Sequence, residues 1–387
     1  MGTFYLIIVD GLGVGAQEDA YLYGDDGTNT LGHVCSVSKC SLPNLGRLGI
    51  GNIIPLDTVP CVVDPLASWG KMRELSAGKD STTGHWEIAG ITMDRPFPVY
   101  PDGFPDEIVR KFCELTGVDG VLANKPYSGT EVIALFGDEH LRTGKPILYT
   151  SADSVFQLAC HDSVTDVETL YKWCEIARSE VMVAGHAVGR VIARPFTGPT
   201  GAFARITDKR HDFSLKPPYP NLPEFLQNHG IKTYSVGKII DLFAEQGFNH
   251  FRRTKNNAEG IAQLLSMMKA VDHGFVFVNL IDTDQLFGHR NDPIGYGNSL
   301  EEFDRAIPAI IGNLADDDVL VITGDHGNDP TTPGTDHTRE FVPLLVYGKK
   351  SGSPVDLGVR ASFSDVAVSV AEYFGLDHPF SGKSFVK

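Results

Sequence analysis

The stretch "FYLIIVD", residues 4–10, is a continuous apolar run that contains β-branched residues and ends in an aspartate. Such a run is typical of a strand buried on both faces of a parallel sheet. The same form recurs in "GFVFVNLIDTD" (274–284) and in "DVLVITGDHGND" (318–329), where aspartates again follow the apolar residues. Because ligands of such sheets bind beyond the carboxyl ends of the strands, these aspartates indicate where a functional site lies.

Strand and helix patterns alternate around these three segments. Further strands are predicted at "IKTYSVG" (231–237) and "EFVPLLVYG" (340–348). Helical apolar spacing is present in "NNAEGIAQLLSMMKAV" (256–271) and "SLEEFDRAIPAIIGNLA" (299–315). Alternating strands and helices predict an α/β protein with a doubly wound sheet.

The middle of the chain has a different character. It opens with the proline-rich "RPFPVYPDGFP" (95–105) and closes near "RHDFSLKPPYP" (210–220). Strand-like segments at 146–159 and 189–196, together with a helical pattern at 167–181, predict an inserted α+β domain. We therefore expect a discontinuous core domain, residues 1–95 and 213–387, that is interrupted by an insertion at 96–212.

Composition and charge narrow the class of protein. The 387 residues are 42% hydrophobic and carry a formal net charge of −16, which argues against a nucleic-acid binder. Six scattered cysteines without a C-x-x-C pair indicate reduced thiols, and hence a cytoplasmic location. No apolar run approaches the length of a membrane span, so we expect no membrane partner.

Carboxylate and imidazole side chains gather at the predicted strand ends. Such a mixed set of ligands suits manganese, zinc or iron better than calcium, and six ligands suit two ions better than one. Two ions can clamp the attacking and leaving oxygens of a phosphoryl transfer. The candidate metal ligands are Asp10, Asp284, His289, Asp325, His326 and His337.

Each of these residues also has a simpler explanation. A single aspartate after a strand is often a helix N-cap, and Asp-His before glycine can form a turn. Other histidines, His85 among them, are expected to be structural or to lie at the surface. The metal hypothesis depends on several strands delivering the same residue types to one sheet edge.

The segment "GKDSTTGHWEIAG" (78–90) offers three adjacent hydroxyl groups. A hydroxyl where a loop enters a helix can cap that helix or act as a nucleophile. The local pattern does not decide between the two, and either role is consistent with the residues alone.

Four core segments, "VDGLGVG", "GKDSTTGHWE", "DTDQLFGHR" and "DHGNDPTTPGTDHTRE", resemble the alkaline phosphatase superfamily. Together with "TSADSV", "GRVIARPF", "RHDFSLKP" and "GKIIDLF" they resemble its phosphopentomutase family in particular. This resemblance implies an alkaline-phosphatase-like core with an inserted cap. It also implies an enzyme that interconverts the 1- and 5-phosphates of ribose and deoxyribose.

The resemblance further implies two Mn²⁺ ions, for which Mg²⁺, Zn²⁺ or Co²⁺ are expected substitutes. The residues Asp284, His289 and His337 would hold one ion. The residues Asp10, Asp325 and His326 would hold the other, next to the nucleophile.

The family usually has threonine after the aspartate of "GKD", whereas this chain has Ser81. Since either alcohol can carry a phosphoryl group, we predict Ser81 as the nucleophile, with Thr83 as the fallback. Thr82 and Thr83 are expected to cap a helix that begins near Gly84. A phosphoserine enzyme, a bound bisphosphate intermediate and a trace of a sugar 1,5- or 1,6-bisphosphate as activator follow from the resemblance.

A mutase must keep water from its phosphoenzyme, and the insertion is the expected lid. Candidates for binding the distal phosphate and the sugar hydroxyls are Ser151, Asp153, Arg190, Arg194, Arg210 and Lys238. Each basic residue among them could equally be a solvated surface charge.

The expected partners are small pentose phosphates, and the expected state is a monomer or weak homo-oligomer. A phosphoglycerate mutase, a plain phosphomonoesterase and a non-catalytic metal-bound sensor of sugar phosphates are the alternatives.

Overall fold

The computed structural model describes residues 2–151, 154–350 and 352–386, along which strands and helices alternate. The chain divides into two units. The core unit consists of Met1–Pro96 and Pro217–Lys387, and the inserted unit consists of Phe97–Lys216. The limits of the inserted unit differ from those of the predicted insertion by only a few residues.

The secondary structure is as follows. In chain order the strands are β1 (Thr3–Val9), β2 (Ser68–Met72), β3 (Leu122–Pro126), β4 (Ile147–Thr150), β5 (Val155–His161), β6 (Arg190–Thr197), β7 (Ala204–Arg205), β8 (His211–Ser214), β9 (Thr233–Val236), β10 (His250–Arg252), β11 (Gly274–Leu280), β12 (Val319–Thr323), β13 (Val342–Tyr347) and β14 (Asp356–Arg360). The helices are α1 (Thr30–Ser38), α2 (Pro43–Leu48), α3 (Ile50–Ile53), α4 (Ser81–Ile88), α5 (Asp106–Thr116), α6 (Gly129–Thr143), α7 (Val167–Ile176), α8 (Leu222–Asn228), α9 (Ile239–Leu242), α10 (Asn257–Met268), α11 (Pro293–Asn313) and α12 (Asp365–Tyr373).

The core unit is built on an eight-stranded sheet with the order β10-β9-β11-β1-β12-β13-β2-β14. Strand β1 pairs in parallel with β11 on one side and with β12 on the other. Strand β13 is antiparallel to both β12 and β2, so the sheet is mixed rather than wholly parallel. Because β1, β11 and β12 are parallel neighbours, their carboxyl ends lie side by side.

Burial explains why these three strands are firmly placed. Every residue of β1, β11 and β12 is buried. Their side chains share one apolar cluster with α1, α10 and α11, to which Leu31, Leu264 and Leu300 contribute. Full burial of a large apolar side chain contributes about 1.5–3 kcal/mol to the stability of the fold. Burial therefore holds these three strands, and the residues that follow them, in place.

The helix α11 begins at Pro293, ahead of the predicted start at residue 299. Its cap is Asp292, whose side chain accepts a hydrogen bond from the N–H of Gly295. Gly295 and Gly297 weaken the helical pattern in the first turns, which explains the late prediction. Among the described residues, no helix has the length and apolar character needed to span a bilayer.

The inserted unit has its own sheet, with the order β3-β4-β5-β6-β7, and β8 pairs with β6. Two apolar clusters pack on this sheet. The helices α5 and α7 contribute Phe112 and Leu170 to one cluster, and α6 contributes Val132 and Ile133 to the other. The unit therefore has the predicted α+β character and buries cores of its own.

Candidate active site

Three aspartates follow the three central strands of the core sheet. Asp10 comes directly after β1, Asp284 follows β11, and Asp325 follows β12. All three are buried. Because β1 is hydrogen-bonded to both β11 and β12, the sheet itself brings these carboxylates together at one edge.

Asp10, Asp325 and His326 form the first donor cluster, in which one ligand atom from each lies within 4.8 Å of the others. The Nε2 atom of His326 is 3.6 Å from Asp10 Oδ1 and 3.2 Å from Asp325 Oδ2. The Nδ1–H of His326 donates to the carbonyl of Gly327 at 3.0 Å. This bond leaves the lone pair of Nε2 available to a cation.

Each carboxylate of this cluster has one oxygen held by the protein and one that is not. Asn279 Nδ2 donates to Asp10 Oδ2 at 2.8 Å, and the N–H of Gly11 donates to Asp325 Oδ1 at 3.1 Å. Within the described part of the chain, Asp10 Oδ1 and Asp325 Oδ2 have no partner in hydrogen-bonding geometry. A buried oxygen without a partner is costly, and both oxygens point toward His326, as ligands of a shared cation would. The residues therefore fit a divalent metal ion.

Asp284, His289 and His337 form the second donor cluster. Asp284 Oδ2 is 3.2 Å from His289 Nε2, and Asp284 Oδ1 is 3.4 Å from His337 Nε2. The two histidine Nε2 atoms are 3.1 Å apart. One ligand atom of His326 also lies within 4.8 Å of ligand atoms of Asp284 and His337. His326 therefore stands between the two clusters.

Hydrogen bonds behind the second cluster orient its ligands. The Nδ1–H of His289 donates to the carbonyl of Thr335 at 2.6 Å, which leaves its Nε2 free to bind metal. Asn328 Nδ2 donates to Asp284 Oδ1 at 2.7 Å. The nitrogen and oxygen donors of both clusters are those that manganese, zinc or iron accept.

The charges in the site shift the pKa values of its groups. Burial and the neighbouring Asp325 raise the pKa of Asp10. Burial opposes the ionisation of Asp325 as well, but the adjacent His326 holds its pKa well below the ordinary value. In turn, Asp325 outweighs the effect of burial and raises the pKa of His326 to about 10. In the protein without metal, His326 therefore holds a proton that a cation must displace.

Ser81 is the first residue of α4, and Asp80 is its N-cap, with a side chain that accepts from the N–H groups of Thr82 and Thr83. The helix therefore does not begin near Gly84, and the prediction that Thr82 and Thr83 cap it is wrong. The hydroxyl of Thr83 donates to Asp80 Oδ2 at 2.5 Å. In the segment "GKDST", the carboxylate of Asp80 caps the helix, and the hydroxyl of Ser81 faces the candidate metal ligand His326.

The side-chain oxygen of Ser81 lies 3.0 Å from His326 Nε2 and 2.8 Å from Lys238 Nζ. A close backbone approach makes this contact possible. A Cβ at Gly84 would lie 2.0 Å from the carbonyl oxygen of Asp325, so only glycine lets α4 pack directly on the ligand segment.

Lys238 precedes α9 and contacts Ser81, the candidate nucleophile. Its Nζ is 2.5 Å from Asp10 Oδ2 and also donates to Ser81. Burial works against its charge, but Asp10, Asp325 and Asp284 outweigh burial and raise the pKa of Lys238. Lys238 is therefore an ammonium group beside the Ser81 hydroxyl.

The three candidate arginines lie in the inserted unit, where Asp212 joins two of them. Arg210 donates to both oxygens of Asp212 at 2.8 Å, and Arg190 Nη1 is 3.4 Å from Asp212 Oδ2. Arg194 Nε donates to Gln157 Oε1 at 2.7 Å. Despite burial, Arg210 and Arg190 lower the pKa of Asp212, so this carboxylate is ionised and holds the guanidinium groups in place.

The structure says little about the two other residues that were predicted to bind the substrate. Ser151 is partly buried, and its carbonyl accepts from the hydroxyl of Thr150 at 3.5 Å. The predicted residue Asp153 lies outside the described residues.

The sequence predictions missed three residues. Burial raises the pKa of Tyr149 to about 12, and the charges of Arg194, Arg210 and Arg205 act against that rise. His85 and Asn279 lie behind the first donor cluster. A signal for Asn279 existed, since it is the only polar residue in the apolar strand "GFVFVNL".

Known proteins resemble the chain over nearly its whole length. The family model of the Metalloenzyme superfamily matches residues 2–378. A phosphopentomutase of Caldanaerobacter subterraneus subsp. tengcongensis is 52% identical over 382 residues, covering 99% of this chain and 96% of that protein. A phosphopentomutase of Acetivibrio thermocellus is 51% identical over 382 residues, covering 98% of each.

Among solved structures, Leishmania mexicana phosphoglycerate mutase matches with a TM-score of 0.50 and 12% identity, covering 100% of this chain and 98% of that chain. At that identity the likeness concerns the fold alone. Fold and donor clusters together define a metalloenzyme of the alkaline phosphatase class, as the sequence motifs predict. With about half of its residues identical to those of its relatives, the chain belongs to the phosphopentomutase family and is an enzyme of the mutase type, in the isomerase class.

Proposed function

We propose that the protein interconverts ribose 1-phosphate and ribose 5-phosphate, and the deoxyribose equivalents, through a phosphoserine at Ser81. The observation that carries this proposal is the position of the Ser81 hydroxyl, 3.0 Å from His326 Nε2 and 2.8 Å from Lys238 Nζ. The names of the relatives supply the substrate class, and the reaction belongs to nucleoside and pentose phosphate metabolism.

The reaction proceeds in two half-reactions. The free hydroxyl oxygen of the pentose monophosphate attacks the phosphorus of phospho-Ser81, the bond from phosphorus to Ser81 Oγ breaks, and a 1,5-bisphosphate forms. The bisphosphate turns round, and Ser81 Oγ attacks the other phosphoryl group and regenerates the phosphoenzyme. The hydroxyl proton lost in one half-reaction is returned in the other, so the overall change is an isomerisation.

The residues of the core unit have separate tasks in this scheme. Lys238 donates a hydrogen bond to Ser81 Oγ and offsets negative charge that develops there. Ser81 is the first residue of α4, and the positive end of the helix dipole there favours the negative charge of a phosphoryl group. Two divalent cations, bound by Asp10, Asp325 and His326 and by Asp284, His289 and His337, would favour the alkoxide of Ser81 and offset phosphate charge.

The arginines of the inserted unit would bind the distal phosphate and the sugar. Arginine binds phosphate through two parallel N–H groups, and Asp212 holds Arg190 and Arg210 ready to do so. Arg194 completes the set, while Ser151 and Asp153 stay predictions for the sugar hydroxyls.

Several finer points stay predictions as well. They are Mn²⁺ as the metal, a sugar 1,5- or 1,6-bisphosphate as activator, a monomer or weak homo-oligomer, no nucleic-acid partner, and a cytoplasmic location.

A single assay tests the proposal. Purified protein is incubated with Mn²⁺, a trace of glucose 1,6-bisphosphate and ribose 1-phosphate, and ribose 5-phosphate and inorganic phosphate are measured separately. We expect ribose 5-phosphate to form with little inorganic phosphate, and Asp325→Ala to abolish its formation. Release of inorganic phosphate without ribose 5-phosphate would instead define a phosphatase, and turnover of 3-phosphoglycerate alone would define a phosphoglycerate mutase.

A further inference from the structure

Two buried polar residues, His85 and Asn279, lie behind the first donor cluster and take no part in the chemistry described above. Both have at most 1% of their surface exposed. His85 lies on α4, and Asn279 lies on β11. Apolar surroundings such as Phe277, whose ring centroid is 5.8 Å from that of His85, make their polar contacts costly to lose.

Asn279 uses its amide nitrogen twice. Its Nδ2 donates to Asp10 Oδ2 at 2.8 Å and also lies 3.2 Å from His85 Nε2. An amide nitrogen has two hydrogens, and these two acceptors account for both. The Oδ1 atom of Asn279 has no hydrogen-bond partner among the described residues. A leucine of similar size would avoid that cost, so the two donated bonds are what asparagine adds.

The bond from Asn279 fixes the state of His85. Since Nε2 of His85 accepts a hydrogen bond, its proton sits on Nδ1. The Nδ1–H donates to the carbonyl oxygen of Ser81 at 2.8 Å. Asp325 Oδ2 lies 3.1 Å from the same nitrogen but outside hydrogen-bonding geometry, so it keeps its oxygen for a cation.

We propose that Asn279 and His85 are positioning residues that join the metal ligand Asp10 to the backbone of Ser81. The chain of bonds runs from Asp10 through Asn279 and His85 to the Ser81 carbonyl, and it holds the ligand and the nucleophile in one geometry. The role of Ser81 in this inference rests on the proposed function. The effect on metal binding does not, because it concerns only Asp10 and its orientation.

Four variants test the inference. Asn279→Leu keeps the volume and removes both donated bonds. His85→Asn keeps a nitrogen donor near the position of Nδ1, whereas His85→Gln places its amide near Nε2 and loses the bond to Ser81. Asn257→Leu is the matched control, because Asn257 is also a buried asparagine, and its side-chain bonds, from the N–H of Asp282 and to the hydroxyl of Ser299, involve no candidate metal ligand.

The readouts are the Mn²⁺ dissociation constant from calorimetry, the melting temperature without metal, and kcat and KM for ribose 1-phosphate. We expect Asn279→Leu to weaken Mn²⁺ binding about 10- to 100-fold, as loss of a group that orients a metal ligand does. We expect Asn279→Leu and His85→Gln to lower kcat with KM changed less than about threefold, and His85→Asn to restore most of the activity that His85→Gln loses. Asn257→Leu should lower only the melting temperature.

Wild-type Mn²⁺ affinity in Asn279→Leu would overturn the inference. Equal losses in His85→Asn and His85→Gln, or losses in Asn257→Leu as large as those in Asn279→Leu, would show a merely structural role. If Asn279→Leu does not fold, the two His85 variants decide. If the wild-type protein forms no ribose 5-phosphate, the proposed function fails, while the Mn²⁺ measurement still tests the bridge.

Discussion

Ser81 is set apart from its neighbouring hydroxyl residues by what its side chain contacts. The Thr83 hydroxyl is engaged by Asp80, the residue that caps α4. The Ser81 oxygen instead faces His326 and Lys238, an imidazole and an ammonium group. Two positions along a helix start thus separate a structural hydroxyl from a candidate nucleophile.

Replacing Ser81 should remove the covalent intermediate. After treatment with a sugar bisphosphate, intact-mass measurement of the wild-type protein should show a gain of about 80 Da, the mass of one phosphoryl group, and Ser81→Ala should show none. Thr83→Val should keep the gain, since its hydroxyl serves only the helix cap. A gain of the same mass in Ser81→Ala would transfer the role of nucleophile to Thr83.

Removing Arg210 should weaken substrate binding without emptying the metal sites. Asp212 would lose its two bonds to Arg210, and the substrate phosphate would lose a bidentate donor, so KM for ribose 1-phosphate should rise at least about tenfold in Arg210→Ala. Metal content by mass spectrometry should be unchanged. Arg253→Ala is the control, because Arg253 also binds carboxylates, Asp241 and Glu245, but lies in the core unit. Equal KM values for the two variants would remove Arg210 from the substrate site.

At the scale of elements, the loop that leads into α4 is tied to the ligand segment by Arg339. This nearly buried guanidinium donates to the carbonyls of Ser76 and Gly78 at 2.7 and 2.6 Å, and to the carbonyl of Glu74 at 2.8 Å. It also pairs with the carboxylate of Glu74 at 3.1 Å. The segment that carries His337 therefore holds the loop that presents Ser81.

Arg339→Met should destabilise the core unit. The variant would leave the buried Glu74 carboxylate and several carbonyls without partners, which costs about 3–5 kcal/mol for a broken buried ion pair. The free energy of unfolding from urea titration measures this loss. Arg305→Met is the control, because its pair with Glu301 is exposed and should cost less than about 1 kcal/mol. Similar losses of unfolding free energy in both variants would show that Arg339 stabilises the protein no more than an exposed ion pair does.

The sequence predicted which strands and helices exist better than it predicted the residues at which they begin. Continuous apolar runs identified β1, β11 and β12 because full burial on both faces requires such residues. The starts of α4 and α11 were placed late, since glycines at 84, 295 and 297 obscure the helical pattern. Gly84 is needed for contact with Asp325, and no local rule shows that a distant backbone lies there.

At the scale of the whole molecule, the clustering of the six candidate metal ligands could be predicted because strand order and residue type combine. Every one of the six candidates lies in one of the two donor clusters. The residues that contact these candidate ligands could not be placed in the same way. Lys238 was predicted to bind the distal phosphate or the sugar, whereas contacts across distant parts of the chain place it beside Asp10 and Ser81. His85 likewise contacts Asn279, which is distant in the sequence.

Metal binding should depend on pH in a defined direction. His326 holds a proton in the metal-free protein, since Asp325 raises its pKa to about 10. A cation must displace that proton, so Mn²⁺ affinity should rise about tenfold per pH unit between pH 6 and pH 7 for one displaced proton. Calorimetry in two buffers of different ionisation enthalpy counts the protons released. A dissociation constant that does not change with pH would mean that His326 is not a ligand.

The central place of β1 has a consequence for how the protein is made. The two partners of this N-terminal strand are residues 274–280 and 319–323, so neither exists while most of the chain is being synthesised. At roughly 5–20 residues per second, the nascent chain carries an unpaired, largely apolar strand for many seconds after it leaves the ribosome. During that interval the apolar side chains of β1 lack the sheet that buries them, so the unfinished chain is exposed to aggregation.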